Sequence, residues 1–433
     1  MIFSNGIKRY QRIETSYFLR FYHSYPDPNE KPKISSSKSS NKKFGPDKSN
    51  TSLEKFDMTK MFPGVPVSKG IEKHNFPQTK STVIQNGLTI ASQDMFGQMT
   101  SVAFIASVGS SYEIQNAQNL SEQTLGSTQM MELTAFRSTK NRTHQKAMTE
   151  IEKMGGNVQC ISSKENILYC IDVMRMNIEP ALEILADSIL NPLLLSEEIE
   201  EAKQIAELQQ FELPSEILSR DAVQRAGYLG SPLGNHHYCP IERIQEISSC
   251  QIIDFRNKYL FGQNCYLSGA GIEHEVLTKL ADNFFKALPK AHSLNVSIDR
   301  DEVKKFKSIS KSVYTGGMVK NERELKDSFI RIAVGFEVGG WHSQDLVIIC
   351  LLQQLLGGGS SFSAGGPGKG MYTRLYTDVL NRHHWVESAE AFTNINEDSG
   401  MLGIDGACTA DDAPYLIQGI YLSMFFCVCF CSY

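Results

Sequence analysis

The run from Leu355 to Met371 limits what this chain can build: Leu-Leu-Gly-Gly-Gly-Ser-Ser-Phe-Ser-Ala-Gly-Gly-Pro-Gly-Lys-Gly-Met. Glycine loses the most freedom on ordering and proline lacks an N–H, so such a density predicts a mobile loop rather than a helix or strand. The apolar run Leu346 to Leu356 before it has helical character. After it, Tyr372, Leu375, Tyr376, Val379 and Leu380 recur at i, i+3, i+4 spacing and predict a second helix. A phosphate-binding loop does not fit. Gly366-Pro367-Gly368-Lys369 is followed by Gly370, so the hydroxyl that would ligate magnesium is missing, and no strand is expected before it. A structural loop, or a lid that meets an extended peptide through closely approaching backbone, remains.

A chain of 433 residues is too long for one core, so at least two domains are expected. A net charge of −5 argues against nucleic acid as a partner and suits a basic peptide. The ten cysteines form no zinc-type Cys-x-x-Cys pair in the globular part, which favours reduced thiols in an intracellular compartment.

Residues 1–25 carry Lys8, Arg9, Arg12 and Arg20 against Glu14 alone, the balance of a mitochondrial transit peptide. Residues 26–81 are polar and rich in Ser, Lys, Asn and Pro, and read as a disordered linker. A first domain is expected over 82–290. Asn86-Gly87 marks a hairpin turn, and strands are predicted over 101–108, 157–162, 167–173 and 264–271. Helices are predicted over 120–136, 145–154 (capped by Thr143), 178–190 (capped by Asn177), 197–212 (capped by Ser196) and 275–288. Cys160 and Cys170 read as buried thiols. Glu197, Glu198, Glu200 and Glu201 favour the positive end of their helix dipole, or attract a basic substrate. His236-His237 has no acidic or Cys partner at ligand spacing and reads as a surface or core pair. A connector over 291–311 follows. Residues 312–418 then repeat the first pattern: the strand Ser328 to Gly340 enters a glycine turn as Val102 to Ser111 does, and a helix follows in both. Residues 419–433 are uncharged, with Cys427, Cys429 and Cys431 alternating, and are too short to span a bilayer comfortably.

The glycine-rich run, continuing into Leu380-Asn381-Arg382-His383-His384-Trp385, resembles that of the non-catalytic members of the pitrilysin-type inverted zinc peptidases. The likeness extends from about Thr82 to about Gln418. It implies an α+β fold of two homologous α/β-sandwich halves. The second half is incomplete by that standard, and residues 419–433 are an aberrant, prematurely ended tail. In active members two His at i and i+4 of one helix bind zinc, and a Glu beside the second is the base. The matching positions here hold Gln129, Leu133 and Glu132, and the third ligand position falls around Leu208-Gln209-Gln210, flanked by Glu207 and Glu212. No catalytic residue, metal ligand or cofactor is therefore expected on this chain. The resemblance further implies a heterodimer with a catalytic beta subunit that carries the zinc. It implies binding of the presequences of imported precursors, in the mitochondrial matrix, with room for peripheral association with the inner membrane. The substrate-binding residues would be Gly357, Gly358, Gly359, Ser360, Phe362, Gly365, Gly366, Gly368, Lys369 and Gly370. A structural core subunit of the respiratory cytochrome bc complex is the alternative on the same fold.

Overall fold

Strand alternation organises the first half of the molecule. In the computed structural model, which describes residues 77–114, 123–290, 312–320, 329–360 and 371–420, six strands form one sheet. They are β1 (Lys80–Val83), β2 (Thr89–Gln93), β3 (Met99–Ala106), β4 (Asn157–Ser162), β5 (Ile167–Met174) and β6 (Cys265–Ala270), in the order β1-β2-β6-β3-β5-β4. Only β2 and β6 run parallel. Every second residue of β3 and β5 is buried, and Phe104 stacks on Phe285 with ring centroids 5.4 Å apart.

The helices of this half are α1 (Ser127–Leu133), α2 (His144–Lys153), α3 (Ile178–Leu190), α4 (Ser196–Glu212), α5 (Ser215–Gly227), α6 (Ile241–Ile244), α7 (Ser249–Tyr259) and α8 (His274–Phe284). In α3 the buried residues Ile178, Ala181, Leu182, Leu185, Ala186 and Ile189 keep helical spacing and join the first core. A capping box, Ser248 with Gln251, starts α7.

The second half is a four-stranded antiparallel sheet in the order β7-β10-β9-β8: β7 (Phe329–Gly339), β8 (Gly358–Ser360), β9 (Val386–Ile395) and β10 (Ser399–Thr409). On one face lie α9 (Leu346–Leu356), a π-helical turn (Leu375–Leu380) and α10 (residues 413–420), sharing a core with Ile404 and Cys408 of β10. Asp405 and Met401 have the opposite parity and meet elements of the first half. Arg331 of β7 ion-pairs with Asp405 at 3.1 Å and with Glu216 of α5, and its Nε donates to Ser215 Oγ at 2.7 Å. Arg220 pairs with Glu390 at 2.7 Å and lies over the Phe392 ring. The Tyr228 hydroxyl donates to the Gly400 carbonyl at 2.9 Å and lies 2.7 Å from Ser399 Oγ. So α5 of the first half is the cover of one face of the second sheet.

The repeat expected from sequence is present in the pairing. β5 lies between β3 and β4 as β10 lies between β7 and β9, all antiparallel.

Several expectations need correction. The helix expected over 120–136 spans only Ser127–Leu133, because Gly126 at φ +88° breaks it and Thr134 ends it; 115–122 lie outside the described residues. Leu195, not Ser196, is the cap of α4. Asn177 caps α3 by position alone, its side chain donating to the Met154 carbonyl instead. Lys80 and Ser81, read as linker, belong to β1. Cys160 and Cys170 are free thiols but only half buried. The glycine run does contain a strand: Gly358–Ser360 pairs with Glu390–Ser388 as the edge strand β8. Among the described residues no helix is long and apolar enough to cross a membrane. The expected transit segment, most of the linker, the connector over 291–311 and the tail from 421 lie outside the described residues.

Candidate functional site

The first candidate site is built on α1. The Glu113 carboxylate, upstream of the helix, accepts from Gly126 N at 2.9 Å and Thr128 N at 2.7 Å, satisfying donors at the helix N-terminus. Burial pushes Glu113 up to about 7, against the pull of these two N–H groups. A Cβ on Gly126 would sit 2.6 Å from Cys239 Sγ and 2.7 Å from Ile247 Cδ1, so only glycine lets α1 start here.

Gln129, the residue at the first ligand position, is buried and bonded at both ends of its amide. Its Nε2 donates to Gln209 Oε1 on α4 at 2.9 Å, and its Oε1 accepts from Cys239 N at 2.8 Å. Gln210 Nε2 donates to the Cys239 carbonyl at 2.8 Å. The sequence placed the third ligand position around 208–210; the side chain that reaches Gln129 is Gln209. Leu133 packs against the first hydrophobic core. Glu132 is tied to β4: its carboxylate accepts from Ser162 N at 3.0 Å and Ser162 Oγ at 2.5 Å. Burial raises its pKa, and these hydrogen bonds oppose the rise.

These residues do not fit zinc. Two carboxamides and an isobutyl group supply neither imidazole nor thiolate, and the amide lone pairs are spent on each other and on backbone. Glu207 is held by Gln245 Nε2 at 2.5 Å. Among the described residues no three His, Cys, Asp or Glu gather to hold a metal ion. His236 and His237 lie beside Lys164, Asp221 and Arg225. Burial first, then the neighbouring cations, lower both to about 4, so they are neutral near pH 7. Lys164 Nζ bonds Asp221 at 2.7 Å and the Asn235 carbonyl at 2.5 Å. Burial raises the Asp221 carboxyl, but Lys164 and Arg225 outweigh it and the net shift is downward.

The second candidate site is the glycine-rich segment. Gly357 ends α9 at φ +55°, where a Cβ would clash with Thr373 Cγ2 at 2.4 Å. A Cβ on Gly358, at φ +103°, would sit 2.0 Å from the Ala389 carbonyl oxygen. Glycine is thus required at Gly357 by the approach of Thr373 and at Gly358 by the approach of β9. Around Gly359 there is open space, and Ser360 is exposed. Thr373 Oγ1 accepts from Gly358 N at 3.1 Å, so both ends of the segment are anchored at one point on the sheet edge. Phe362, Gly365, Gly366, Gly368, Lys369 and Gly370 lie outside the described residues. Among the described residues no hydrogen bond joins this segment to Gln129 or Glu132.

Of Glu197, Glu198, Glu200 and Glu201 in the first turns of α4, three are engaged within the fold. Glu198 accepts from Ser138 N at 3.0 Å, Glu201 pairs with Arg137 at 3.0 Å and Glu200 lies 3.8 Å from Lys203. Helix α5 and its contacts with the second sheet were not foreseeable from its pattern, which buries only Gln224, Ala226 and Gly227.

Two family models match in tandem. One, described as insulinase, peptidase family M16, covers residues 89–241; the other, described as peptidase M16 inactive domain, covers residues 246–421. The chain is 33 % identical over 345 residues to mitochondrial-processing peptidase subunit alpha of Solanum tuberosum, which covers 79 % of this chain and 64 % of that protein. It is 31 % identical over 404 residues to the Homo sapiens protein of the same name, covering 87 % of this chain and 73 % of that one. The chain thus spans less than two thirds of the potato relative's length. The crystal structure of a protease from Helicobacter pylori superposes with a TM-score of 0.62 at 18 % identity, covering 80 % of this chain and 79 % of that one, a likeness of fold.

Proposed function

The chain belongs to the M16 peptidase family, among relatives of mitochondrial-processing peptidase alpha subunits, and from that premise we propose that it is a substrate-recognising, non-catalytic subunit of a mitochondrial metalloendopeptidase. Its substrates are the presequences of imported precursors, in the matrix. Its partner is a zinc-containing catalytic beta subunit, which cuts them.

The observation that carries this reading is the Gln129–Gln209 amide pair, standing where an active relative needs zinc ligands. A chain that spends these positions on fastening α1 to α4 leaves bond cleavage to another polypeptide. Its own contribution is binding. A glycine-rich segment anchored at both ends on a sheet edge supplies backbone that accepts diverse sequences at close range.

The test is reconstitution with a zinc-bearing beta subunit and a fluorescent presequence peptide. Removing residues 361–370, which leaves β8 in place, is expected to weaken peptide binding at least tenfold while the heterodimer still forms. Loss of the heterodimer would make the segment structural. Unchanged peptide affinity would place recognition elsewhere.

A further inference from the structure

The start of the glycine-rich segment has no side chains with which to hold itself in place. Gly358 and Gly359 of β8 are fixed by backbone pairing with Glu390 and Ala389 of β9, and by the Thr373 hydroxyl. Where β9 lies therefore decides where the segment begins. The β9 residue directly opposite Gly358 is Glu390.

Glu390 is also held by α5 of the first half. Arg220 Nη2 donates to its carboxylate at 2.7 Å, and the guanidinium lies 5.3 Å from the centroid of the Phe392 ring. One helical turn on, Gln224 Oε1 accepts from Asn394 Nδ2 at 3.4 Å. Arg220 and Gln224 thus follow Glu390, Phe392 and Asn394 along one face of β9. Helix α5 buries only Gln224, Ala226 and Gly227, so no long apolar stripe sets its register. Polar contacts set it instead. Ser215 and Glu216 meet Arg331 of β7, and that end is anchored by the buried Asp405. At the other end Arg220–Glu390 joins the first half to the strand that carries β8. Its side chains are 30 % and 53 % exposed, so the pair is screened by solvent. Its loss should shift where β9 sits without unfolding the chain.

We propose that Arg220, acting through Glu390, is a positioning residue for presequence recognition: it fixes β8, and with it the glycine-rich segment, relative to the first half. The inference rests on the recognition role proposed for that segment. Neither side chain contacts the peptide. A peptide handed from one subunit to the metal of another must meet a segment held at a set distance, and a misplacement of about 1 Å is costly.

The experiment uses the full chain reconstituted with the zinc-bearing beta subunit and the fluorescent presequence peptide. Arg220→Gln, Glu390→Gln, the double substitution and removal of residues 361–370 are compared for peptide affinity, KM, kcat and heterodimer formation. Arg220→Gln removes a cation, so direct attraction alone would tighten binding of a basic peptide. It is expected instead to weaken affinity about three- to tenfold, raising KM while kcat is kept. Glu390→Gln is expected to weaken it by a similar factor, and the double substitution no further than either single one, because the pair acts as a unit. Tighter binding in Arg220→Gln with weaker binding in Glu390→Gln would make Glu390 a direct peptide contact and overturns the proposal. So do unchanged affinity in both variants, additive losses in the double substitution, a fall in kcat at constant KM, or loss of the heterodimer. Weaker binding after removal of residues 361–370, with both substitutions silent, overturns the positioning role and leaves the recognition role standing. If that removal is silent as well, both fall.

Discussion

Helices α1 and α9 hold equivalent places in the two halves and have opposite surroundings. Five of the seven residues of α1 are buried, and α4 and α7 pack on it. Only Ile349 and Leu356 of α9 are buried. The sequences match this difference. α1 carries the polar side chains Gln129 and Glu132, and both are bonded to named partners on other elements. α9 is aliphatic almost throughout, a composition suited to being covered on every side. In this repeat one helix is held by hydrogen bonds, and its counterpart is aliphatic with most of its side chains exposed.

The largest effect is expected where the halves are joined. Arg331→Leu leaves Asp405 buried without its cation and should cost about 3–5 kcal/mol. Amide exchange should rise in β7 and β10 before it rises in β3 and β5. Simultaneous opening of both sheets would show that the halves are one cooperative unit. Next, Met130→Ala in α1 should cost about 2–5 kcal/mol, whereas Val347→Ala in α9 should stay within about 0.5 kcal/mol, by urea denaturation. Equal costs would erase the contrast between the two helices.

Gln129→Ala orphans Cys239 N–H and the Gln209 amide, and should cost about 1–3 kcal/mol. Gln129→Glu would replace a satisfied amide with a buried anion and is expected to be worse. The smallest effect is in pH. His236 and His237 titrate near 4 in the fold, below their ordinary value of 6.5, so the unfolded chain binds protons first as pH falls. Stability from this pair is complete above about 6.5 and is lost progressively towards 4. Glu113 has the opposite sign: its folded value near 7 makes stability fall as pH rises from 4.5 to 7. The two trends partly cancel in wild type. His237→Gln should flatten the acid limb, and Glu113→Gln should steepen it, in thermal melts across that range.

Much of the first half is legible in the chain because alternation and amphipathic spacing coincide with burial, as in β5 and α3. β10 is not legible. Its glycines at 400, 403 and 406 read as strand breakers, yet Gly403 is required because the Phe392 ring lies 2.5 Å from where its Cβ would be. β8 is hidden for the same reason, since Gly358 admits the Ala389 carbonyl. The polar helix α5 escapes a hydrophobic-pattern reading because ion pairs and hydrogen bonds, not an apolar stripe, hold it to the second sheet. At the candidate site, the motif positions Gln129, Glu132 and Leu133 are visible in sequence. The partner Gln209 is narrowed to three residues by spacing and fixed only by the approach of α4 to α1. Ser162 as the partner of Glu132 carries no sequence signal, because the contact spans a helix and a strand 30 residues apart.

At the α1–α4 contact the Gln129–Gln209 amide pair stands in place of a metal site. Zinc stoichiometry tests it most directly, measured on the purified chain and on Gln129→His/Leu133→His/Gln209→Glu. No stoichiometric zinc is expected on the chain as it stands, and close to one zinc per chain once two imidazoles and a carboxylate replace Gln129, Leu133 and Gln209. Stoichiometric zinc on the unaltered chain that is lost in Gln129→Ala/Gln209→Ala, or no zinc on the triple substitution, would contradict it.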